Sequence, residues 1–591
     1  MDPIIQSNID ELITVFKESG ANLSDPVAKL MVTALIHQAQ KIKDEIAGLP
    51  DKVLARLAEY FIPKNKIDAS PALCLLQPTI KSKKGIDAHI LADGTFFSFK
   101  VDNKTSLSFY PLFRNCILPI AAIHTLTDRK LVSKGMRSDL NLNCKGKVWV
   151  GLEMSADIES LADVSFYIKN NDGIMPDKIL VGNEMIELSF TGANNLSDIP
   201  MMEPFDSQQV TPSSIEVFSN IQRELSGMKQ GRLIYITDNL KDRDIYKYKA
   251  YPKSFQQYLE SSDLDKFENN TLWILFDFGD DYNIPDNIEI IPNVIPCANV
   301  ALNSVNLTQT SPIAKLTKDD GSFFLNIVDT SLSSQKQGFS TIAEDVVIRD
   351  FDVNCYNREN LHRDARNLYN KFIEDYHAFV DYHSLKDGEL IRALRELVNK
   401  IGKSVLSAGD VKNLFDEGTY VMRGVGLIGK STSVKVSYLT TNGKLGNAPK
   451  VGMAMENKKD AALEKDVTVI SSAIGGVDKA SADERYEMLR YYTLTSDRLY
   501  TKMDIDAFLR LQLLKEFGKE EIKRIGHNIR IEGAAGSDRL VRGLYIDIKF
   551  KDEKNYHKAK NNALDKKLHQ MIVDKSCISM PIIIELINPM E

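Results

Sequence analysis

The chain contains few of the residues that form disulfide frameworks, metal sites or catalytic clusters. Its 591 residues include six cysteines and nine histidines, and no two cysteines form a CxxC pair. Because disulfide frameworks and zinc sites usually cluster their cysteines, this spacing argues against both. We interpret the six as small buried hydrophobic residues of a reducing compartment: Cys74, Cys116, Cys144, Cys297, Cys355 and Cys577.

Long apolar runs and an excess of positive charge are also absent. The most apolar runs, at residues 272–276 and 580–587, are far shorter than the ~20 residues that cross a bilayer. The first residues, Met1, Asp2 and Pro3, lack the cationic and apolar regions of a signal peptide. With 74 basic and 81 acidic residues, the formal net charge is −7, which argues against bulk electrostatic binding to nucleic acid or an anionic membrane. We therefore expect a soluble, intracellular protein.

The length and the order of predicted elements indicate several domains. At about 150 residues per domain, the chain is long enough for roughly four. We predict an α+β multi-domain chain with an N-terminal helical hairpin, a large β-rich middle of two sub-domains, a helical segment, a second β-rich stretch and a C-terminal ferredoxin-like α/β unit. The predicted boundaries are, in that order, residues 1–68, 69–345, 346–417, 418–480 and 481–591.

The N-terminal helices are predicted from their capping signals and apolar stripes. Asp25 and Pro26 form a helix start, in which a capping side chain precedes proline at the first helical position. Gly48 ends this helix, and a second helix follows and ends at Pro63. Apolar residues recur at helical spacing in both, which predicts an antiparallel hairpin, and a similar spacing predicts helices over residues 358–403.

The middle of the chain alternates short β-rich runs with turn residues. Pairs such as Asp93-Gly94 and Asp320-Gly321 separate these runs, as expected for strands joined by tight turns. The main predicted strands are residues 72–77, 96–101, 148–152, 163–168, 232–237, 271–278 and 288–291.

The last hundred residues have the pattern of a compact α/β unit. We predict a helix near residues 504–517, strands at 524–531 and 542–550, a polar helix at 553–573 and a closing strand at 582–587 that is apolar on both faces. Strands interleaved with two helices are typical of a ferredoxin-like split βαβ fold.

One segment matches the phosphate-binding P-loop pattern GxxxxGK[ST], namely Gly424-Val425-Gly426-Leu427-Ile428-Gly429-Lys430-Ser431. A P-loop needs a helix directly after its lysine, because the free N–H groups and the dipole of that helix face the phosphates. Residues 432–439 are instead β-branched and alternating, which predicts a strand. We therefore favour a hairpin or a glycine-rich strand edge over a nucleotide site.

Other catalytic and metal-binding patterns are weak. Residues 272–277 resemble a Walker B strand, but they lie far upstream of the glycine motif and are better explained as the end of a buried strand. His377 and His383 are six residues apart, so they do not share one helical face as a metal pair would. No GxSxG nucleophile elbow occurs. We predict that the chain is not an enzyme and has no catalytic, cofactor-binding or metal-binding residues.

A series of short strings in the first 330 residues has a recognisable order. The strings are Asp25-Pro26-Val27, Leu49-Pro50-Asp51, Leu57-Ala58-Glu59-Tyr60-Phe61-Ile62-Pro63, Ser70-Pro71-Ala72-Leu73-Cys74-Leu75-Leu76-Gln77, Leu91-Ala92-Asp93-Gly94-Thr95-Phe96, Phe109-Tyr110-Pro111-Leu112, Ile295-Pro296-Cys297-Ala298-Asn299-Val300 and Ser311-Pro312-Ile313. In order and spacing they resemble TssF, the baseplate wedge protein of type VI secretion systems. The resemblance covers about residues 20–330. Beyond residue 345 there is little match, and the C-terminal unit is more similar to the terminal domains of contractile phage wedge proteins.

The resemblance implies a structural role in a large assembly. TssF proteins pair as two copies with one TssG in a wedge, the wedges surround the VgrG spike hub, TssK binds on the outer side, and TssE connects to the sheath. For this chain, it implies a second copy of itself and TssG-like, TssK-like, TssE-like and VgrG-like partners, without nucleic acid, cofactor or direct membrane insertion. The implied location is the cytoplasm, at the inner face of the bacterial inner membrane, where the wedge supports sheath assembly and contraction.

Departures from the family leave alternatives open. The N-terminal amphipathic helix is shorter than is usual for TssF, which a divergent type VI lineage would explain. One alternative is a wedge protein of a phage or phage-derived contractile tail, which neighbouring capsid and terminase genes would favour. A less favoured alternative is a nucleotide-dependent enzyme that uses the loop from Gly424 to Ser431, which stabilisation by nucleotide would favour.

Overall fold

A computed structural model describes most of the chain between residues 67 and 332 and between residues 418 and 588. The described residues are 61–62, 67–81, 88–102, 105–140, 142, 144–154, 158–170, 174–182, 185–192, 201–202, 205, 231–238, 251–257, 259–265, 267, 271–316, 321–332, 346–351, 396, 399, 418–424, 433–533 and 542–588. Most of the predicted N-terminal hairpin and of the predicted helical segment over 358–403 lies outside them.

Strands dominate the described residues. The strands are β1 (Leu73–Gln77), β2 (His89–Ile90), β3 (Phe97–Lys100), β4 (Ser106–Pro111), β5 (Cys116–Ile117), β6 (Ile120–Leu126), β7 (Lys130–Ser133), β8 (Met136–Asp139), β9 (Lys147–Met154), β10 (Ser165–Lys169), β11 (Lys178–Val181), β12 (Ile186–Glu187), β13 (Phe190–Gly192), β14 (Gly231–Ile236), β15 (Thr271–Asp277), β16 (Glu289–Pro292), β17 (Ile295–Asn299), β18 (Ala301–Leu307), β19 (Ile313–Lys315), β20 (Phe323–Leu332), β21 (Val346–Phe351), β22 (Gly418–Arg423), β23 (Val434–Thr441), β24 (Ala454–Asn457), β25 (Asp466–Val469), β26 (Ile525–Gly533), β27 (Arg542–Phe550) and β28 (Ile582–Ile587). The α-helices are α1 (Ser261–Leu264), α2 (Ala482–Thr495), α3 (Lys502–Phe517), α4 (Lys519–Ile522), α5 (Glu553–Asn561) and α6 (Leu564–Lys575). Segments Lys253–Gln257 and Gly443–Asn447 form 3-10 helices.

The chain divides into two units. One comprises residues 68–479, and the other joins residues 1–67 to residues 480–591. The described residues combine helices and strands, so the α+β multi-domain class is confirmed, with strands in the majority among them. The five domain boundaries from the sequence remain predictions.

A closed barrel lies in the unit of residues 68–479. Its strands are ordered β1-β17-β4-β3-β24-β25, and β25 pairs with β1 to complete the circle. Side chains such as Cys74 and Phe109 are fully buried in one cluster, while Leu73 and Leu75 on the opposite face of β1 pack with Tyr235 of β14 in another. Because both faces of β1 are covered, its sequence is a continuous apolar run instead of an alternating one.

Strands from the predicted second β-rich stretch, residues 418–480, complete the barrel. Strand β24 pairs with β3, and β25 pairs with β1. Buried backbone N–H and C=O groups need hydrogen-bond partners. The hairpin of β24 and β25 supplies them for β3 and β1, and this pairing closes the barrel.

Two larger sheets pack face to face beside the barrel. The four-stranded sheet is ordered β13-β14-β10-β16, and the seven-stranded sheet is ordered β12-β11-β15-β9-β6-β7-β8. Val150 of β9 and Phe276 of β15 pack with Phe166 of β10 in a shared core. Buried Asn293, in the left-handed conformation at φ 59°, accepts a hydrogen bond from the N–H of Leu118 at 3.1 Å and donates one to its carbonyl at 2.8 Å. This amide fixes the chain between β5 and β6 against the turn between β16 and β17.

Two three-stranded sheets, ordered β18-β23-β20 and β19-β22-β21, share a further core. Val421 of β22 packs with Val434 and Val436 of β23 and with Val346 of β21. The strand β21 occupies the start of the region 346–417 that was predicted as helical. Val346 and Ile348, two residues apart on one face of this strand, both pack in the shared core, and β21 pairs with β22 along six residues.

The unit that contains residues 480–591 has a three-stranded sheet in the described residues. Strands β26 and β27 are antiparallel, and β28 is parallel to β27 after a crossover through α5 and α6. The strands at Arg542–Phe550 and Ile582–Ile587 match their predicted bounds. The ferredoxin-like prediction is not confirmed, because this sheet follows the chain order β26-β27-β28, with the antiparallel pair first.

Local capping chemistry explains the helices of this unit. Ser481 with Glu484 and Thr501 with Asp504 form capping boxes at the starts of α2 and α3. The polar helix predicted over 553–573 is divided at Ala563, whose left-handed φ of 47° ends α5 before α6 begins. Helix α2 was not predicted from sequence, although its capping box was a usable signal.

Candidate functional site

The glycine-rich segment connects two sheets. Strand β22 ends at Arg423 and strand β23 begins at Val434, while residues 425–432 lie outside the described residues. The prediction that a strand follows the motif is confirmed. The first described element after it is the strand β23, whereas a P-loop requires a helix after its lysine. The hairpin interpretation is wrong, because β22 pairs with β19 and β21 whereas β23 pairs with β18 and β20. The segment therefore joins the two sheets of a shared core.

The Walker B-like run is a buried strand, as predicted. It forms β15, which pairs with β9 and β11 along its length. The carboxylate of Asp277, at the end of β15, accepts a hydrogen bond from the N–H of Gly279 at 3.0 Å. Asp277 thus closes a local turn that starts the following segment.

Three of the described histidines lie beside a carboxylate or aromatic rings. His89 lies 2.7 Å from the carboxylate of Asp460, and His527 lies 2.7 Å from that of Asp506. His124 is buried in an aromatic cluster, stacked on Trp273 at 5.6 Å between ring centroids. Among the described residues, no group of three or more His, Cys, Asp or Glu side chains has the arrangement of a metal site. His37, His377 and His383 lie outside these residues.

The described cysteines follow the sequence interpretation with one exception. Cys74, Cys116, Cys144 and Cys297 are buried, whereas Cys577 is exposed and Cys355 lies outside the described residues. Burial raises the pKa of the Cys116 thiol to about 11 and that of Cys297 well above its ordinary value. Cys74 and Cys297 lie opposite each other on β1 and β17, inside the barrel.

The TssF-like strings that fall within the described barrel come together there. The strings at residues 70–77 and 295–300 contain β1 and β17, the string at 109–112 covers the end of β4, and the string at 91–96 leads directly into β3. These strands are consecutive neighbours in the order β1-β17-β4-β3. Strings that are distant in the sequence therefore build one continuous part of the barrel wall.

A buried amide ties this wall to the following sheet. Asn299, fully buried at the end of β17, donates to the carbonyl of Ser108 on β4 at 3.1 Å. Its side-chain oxygen accepts from the Thr441 hydroxyl at 3.3 Å and from the Asn442 N–H at 3.1 Å. Gly446 packs directly against this amide, because a Cβ at position 446 would lie 2.6 Å from the side-chain oxygen of Asn299. The asparagine of the string therefore holds three segments at once.

The other strings with described residues lie outside the barrel. Ile313 begins β19 and pairs with Met422, and the carbonyl of Pro312 accepts from the Arg423 N–H at 2.9 Å. Ile62 is buried in the core of the unit of residues 1–67 and 480–591, and Phe61 beside it is exposed.

Two neighbouring segments beside β1 expose apolar side chains. Residues 473–478 run along β1, where the backbones of Leu73 and Ile474 exchange hydrogen bonds of 2.7 and 2.9 Å. Residues 443–453 lie alongside that segment. Five large apolar side chains on these two segments form what we name the 445–477 surface: Leu445 (41% exposed), Val451 (56%), Met453 (43%), Ile474 (40%) and Val477 (48%).

Comparison with known proteins gives matches among solved structures. No model of a known protein family matches the chain. No curated protein matches it either. A chain in the cryo-electron microscopy structure of a type VI secretion system TssK-TssF-TssG baseplate subcomplex is similar at 11% identity and a TM-score of 0.41, over 95% of this chain and 96% of that chain. A chain of the baseplate complex from the type VI secretion system is similar at 12% identity and a TM-score of 0.34, over 99% and 94% respectively.

No helix in the described part of the chain combines the length and the apolar character needed to cross a membrane.

Proposed function

We propose that this chain is a non-enzymatic structural subunit of a type VI secretion baseplate wedge, in the role that TssF has. It would act by holding other subunits in a defined arrangement, and the chemistry of its interior would serve stability. In this role it pairs with a second copy and with a TssG-like protein, and the wedge contacts TssK-like, TssE-like and VgrG-like subunits. The assembly lies in the cytoplasm against the inner membrane.

The observation that carries the proposal is the convergence of the TssF-like strings on the barrel. Residues 70–77 and 295–300 are far apart in the sequence, yet β1 and β17 pair in register along four residues. Strings that matched by chance would have no reason to occupy neighbouring strands. Their buried positions indicate that the strings record a shared framework and not a shared reaction.

The competing nucleotide hypothesis is less favoured by the residues around Lys430. A P-loop cradles phosphates at the start of a helix, whereas the first described element after this segment is the strand β23. Each of the flanking strands belongs to a separate three-stranded sheet.

Co-expression with the neighbouring TssG-like protein tests the proposal. We expect a complex that survives size-exclusion chromatography at 0.5 M NaCl, about the ionic strength at which exposed charge pairs are strongly screened. A TssG-like protein from an unrelated system serves as the control and should elute separately. If the chain remains apart from its own TssG-like neighbour under all salt conditions, the proposal is wrong.

A further inference from the structure

Helices α5 and α6 carry a local excess of positive charge. Between residues 551 and 567 the chain has six lysines and three acidic residues, a local net charge of +3 in a chain whose formal net charge is −7. All six lysine side chains are exposed, and we name them the 551–567 lysine face: Lys551, Lys554, Lys558, Lys560, Lys566 and Lys567.

The packing of the two helices directs these lysines to solvent. Ala559 of α5 and Leu564, Leu568 and Ile572 of α6 are buried in the same core as the strand β27. Because the buried residues of both helices face one side of the sheet, their polar residues lie on the outer surface. The left-handed φ of 47° at Ala563 separates α5 from α6 by a single turn, which keeps the lysines of both helices close together in the chain.

The three acidic residues of this range lie at helix starts. Asp552 is the N-cap of α5, and its carboxylate accepts hydrogen bonds from the N–H of Asn555 at 2.8 Å and from the Asn555 amide at 2.9 Å. Glu553 and Asp565 are in the first turns of α5 and α6, where a negative charge interacts favourably with the helix dipole. Helix formation thus explains all three, and the lysines outnumber them two to one.

The neighbouring segment does not reverse this charge. Residues 515–524 contain four basic and three acidic residues. Glu516 accepts from the Asn562 amide at 2.7 Å, and Glu521 accepts from the Asn555 amide at 2.8 Å. Lys558 donates to the backbone carbonyl of Glu516 at 2.6 Å. Within the part of the chain that the structure describes, none of the six lysines forms an ion pair with a carboxylate.

This face offers no apolar centre to a protein partner. Residues 551–567 are all described, and no large apolar side chain among them is exposed. Tyr556 is half-buried, with its ring 5.9 Å from the Lys560 ammonium. Stable protein interfaces bury aromatic, methionine and arginine side chains at their centre and are depleted in lysine. A second copy is disfavoured further, because two faces of the same positive charge would meet.

The composition of the face also distinguishes a membrane from a nucleic acid. Residues 551–575 contain no arginine, whose planar guanidinium is the preferred group for nucleic-acid recognition. Single-stranded nucleic acid is bound by exposed aromatic rings, which this face lacks. Anionic lipid headgroups are recognised by clusters of about four to eight lysine or arginine residues on a helix, and six lysines fall within that range.

We propose that the 551–567 lysine face binds the headgroups of an anionic membrane surface through charge, without insertion into the bilayer. Amphipathic anchors insert large apolar side chains below the headgroups, and this face exposes none. The negative charge of the chain as a whole favours the orientation in which the lysine face is directed at the membrane. This inference goes beyond the proposed function and is tested on the chain alone.

Co-sedimentation of the full-length chain with lipid vesicles measures this binding. Phosphatidylcholine vesicles that contain phosphatidylglycerol provide the anionic surface, and vesicles of phosphatidylcholine alone provide the neutral one. Binding is measured at about 0.1 M NaCl and at about 0.5 M NaCl, because salt screens the attraction between exposed charges.

Two variants of equal net charge separate the position of the lysines from their number. The face variant, Lys554→Gln/Lys560→Gln/Lys566→Gln/Lys567→Gln, removes four charges and retains residues that favour a helix. The control variant, Lys145→Gln/Lys253→Gln/Lys435→Gln/Lys444→Gln, removes four charges from exposed lysines in the unit of residues 68–479. Circular dichroism melting verifies the fold of each.

We expect the unchanged chain and the control variant to bind the anionic vesicles at the lower salt concentration, to dissociate at the higher one, and to ignore the neutral vesicles. Each lysine near an anionic surface contributes about fivefold to affinity, so the face variant should bind at least about 100-fold more weakly. Should the face variant unfold, acetic anhydride labelling of the unchanged chain replaces it. Anionic vesicles should then protect Lys560 and Lys566 and leave Lys253 and Lys435 reactive.

Three results would overturn the inference. The first is that the unchanged chain ignores anionic vesicles, or that the face variant binds them as the control variant does. The second is loss of binding to the TssG-like protein in the face variant while vesicle binding is retained, which would assign the face to an acidic protein. The third is binding to duplex DNA, lost in the face variant, without binding to vesicles. Co-expression tests the proposed function separately, because the vesicle experiment uses no partner protein.

Discussion

The side-chain oxygen of Asn299 accepts a hydrogen bond from the backbone N–H of Asn442 at 3.1 Å. The two residues are 143 positions apart, and the bond joins the end of barrel strand β17 to the turn after β23. Asn299 belongs to a TssF-like string, and its side chain is fully buried. Its amide therefore explains in physical terms why an asparagine occupies this position.

Replacing Asn299 with alanine should destabilise the unit of residues 68–479 by about 2–4 kcal/mol. The change leaves the Ser108 carbonyl and the Asn442 N–H without their buried partner, and each unsatisfied group costs about 1–3 kcal/mol. Both tryptophans, Trp149 and Trp273, lie in this unit, so urea unfolding followed by tryptophan fluorescence reports on it.

Asn303→Ala is the control for this substitution. Asn303 lies on the adjacent strand β18, is partly exposed, and donates to the Thr440 hydroxyl at 2.9 Å. Because water can replace a partly exposed bond, its loss should cost less than about 1 kcal/mol. Equal effects of the two substitutions would contradict the role assigned to Asn299.

Two glycines in the seven-stranded sheet region should respond differently to alanine. Both Gly135 and Gly146 have positive φ, at 82° and 71°, so both substitutions impose backbone strain of about 1–2 kcal/mol. A Cβ on Gly146 would also lie 1.8 Å from the carbonyl oxygen of Gly279, whereas one on Gly135 has no atom within 4 Å. Gly146→Ala should therefore cost about 1–3 kcal/mol more than Gly135→Ala in the fluorescence-detected urea unfolding. Similar midpoints would show that the backbone yields at Gly146.

Thiol reactivity should separate Cys577 from the buried cysteines. In a Cys355→Ser background, a thiol reagent at pH 8 should modify Cys577 within minutes, because Cys577 is exposed. Burial keeps Cys116 and Cys144 protonated by raising each pKa to about 11, and Cys74 and Cys297 are shielded inside the barrel. We expect one modified thiol per native chain by intact mass, and five in urea. More than one in the native state would show that the described core opens.

The chain should not respond to nucleotide. If a P-loop at Lys430 bound ATP with a Kd of about one hundredth of the added ATP concentration, the ligand would stabilise the fold by about 2.7 kcal/mol. We expect no shift in melting temperature with 5 mM ATP and Mg²⁺, a concentration of roughly 100 times a 50 µM Kd, and the same melting curve for Lys430→Ala. A nucleotide-dependent shift that Lys430→Ala removes would contradict the structural role of this segment.

Strands could be predicted from the sequence where the pattern of neighbouring residues alone determines them. The alternating residues of β27 and the apolar run of β28 gave their observed bounds, because side chains alternate between faces and turn residues flank each strand. Capping residues also predict the start of a helix from neighbouring residues alone, but helix α2 was not predicted. Its exposed residues include Tyr486 and Leu494, so no clear apolar stripe marks a buried face.

The barrel and its hydrogen-bond hub could not be predicted from local pattern. Closure depends on β25 pairing with β1, and these strands are separated by most of the unit. Period and turn chemistry carry no information on which distant strand completes a sheet. The strings of the family resemblance were visible in the sequence, but their meeting place, and the atoms that Asn299 contacts, needed coordinates.

If this chain is a structural wedge subunit, it should form a complex of defined mass with the neighbouring TssG-like protein. Native mass spectrometry of the co-expressed proteins should give one species with two copies of this chain and one TssG-like copy. A chain that always appears alone, in the presence of a folded TssG-like protein, would contradict the account.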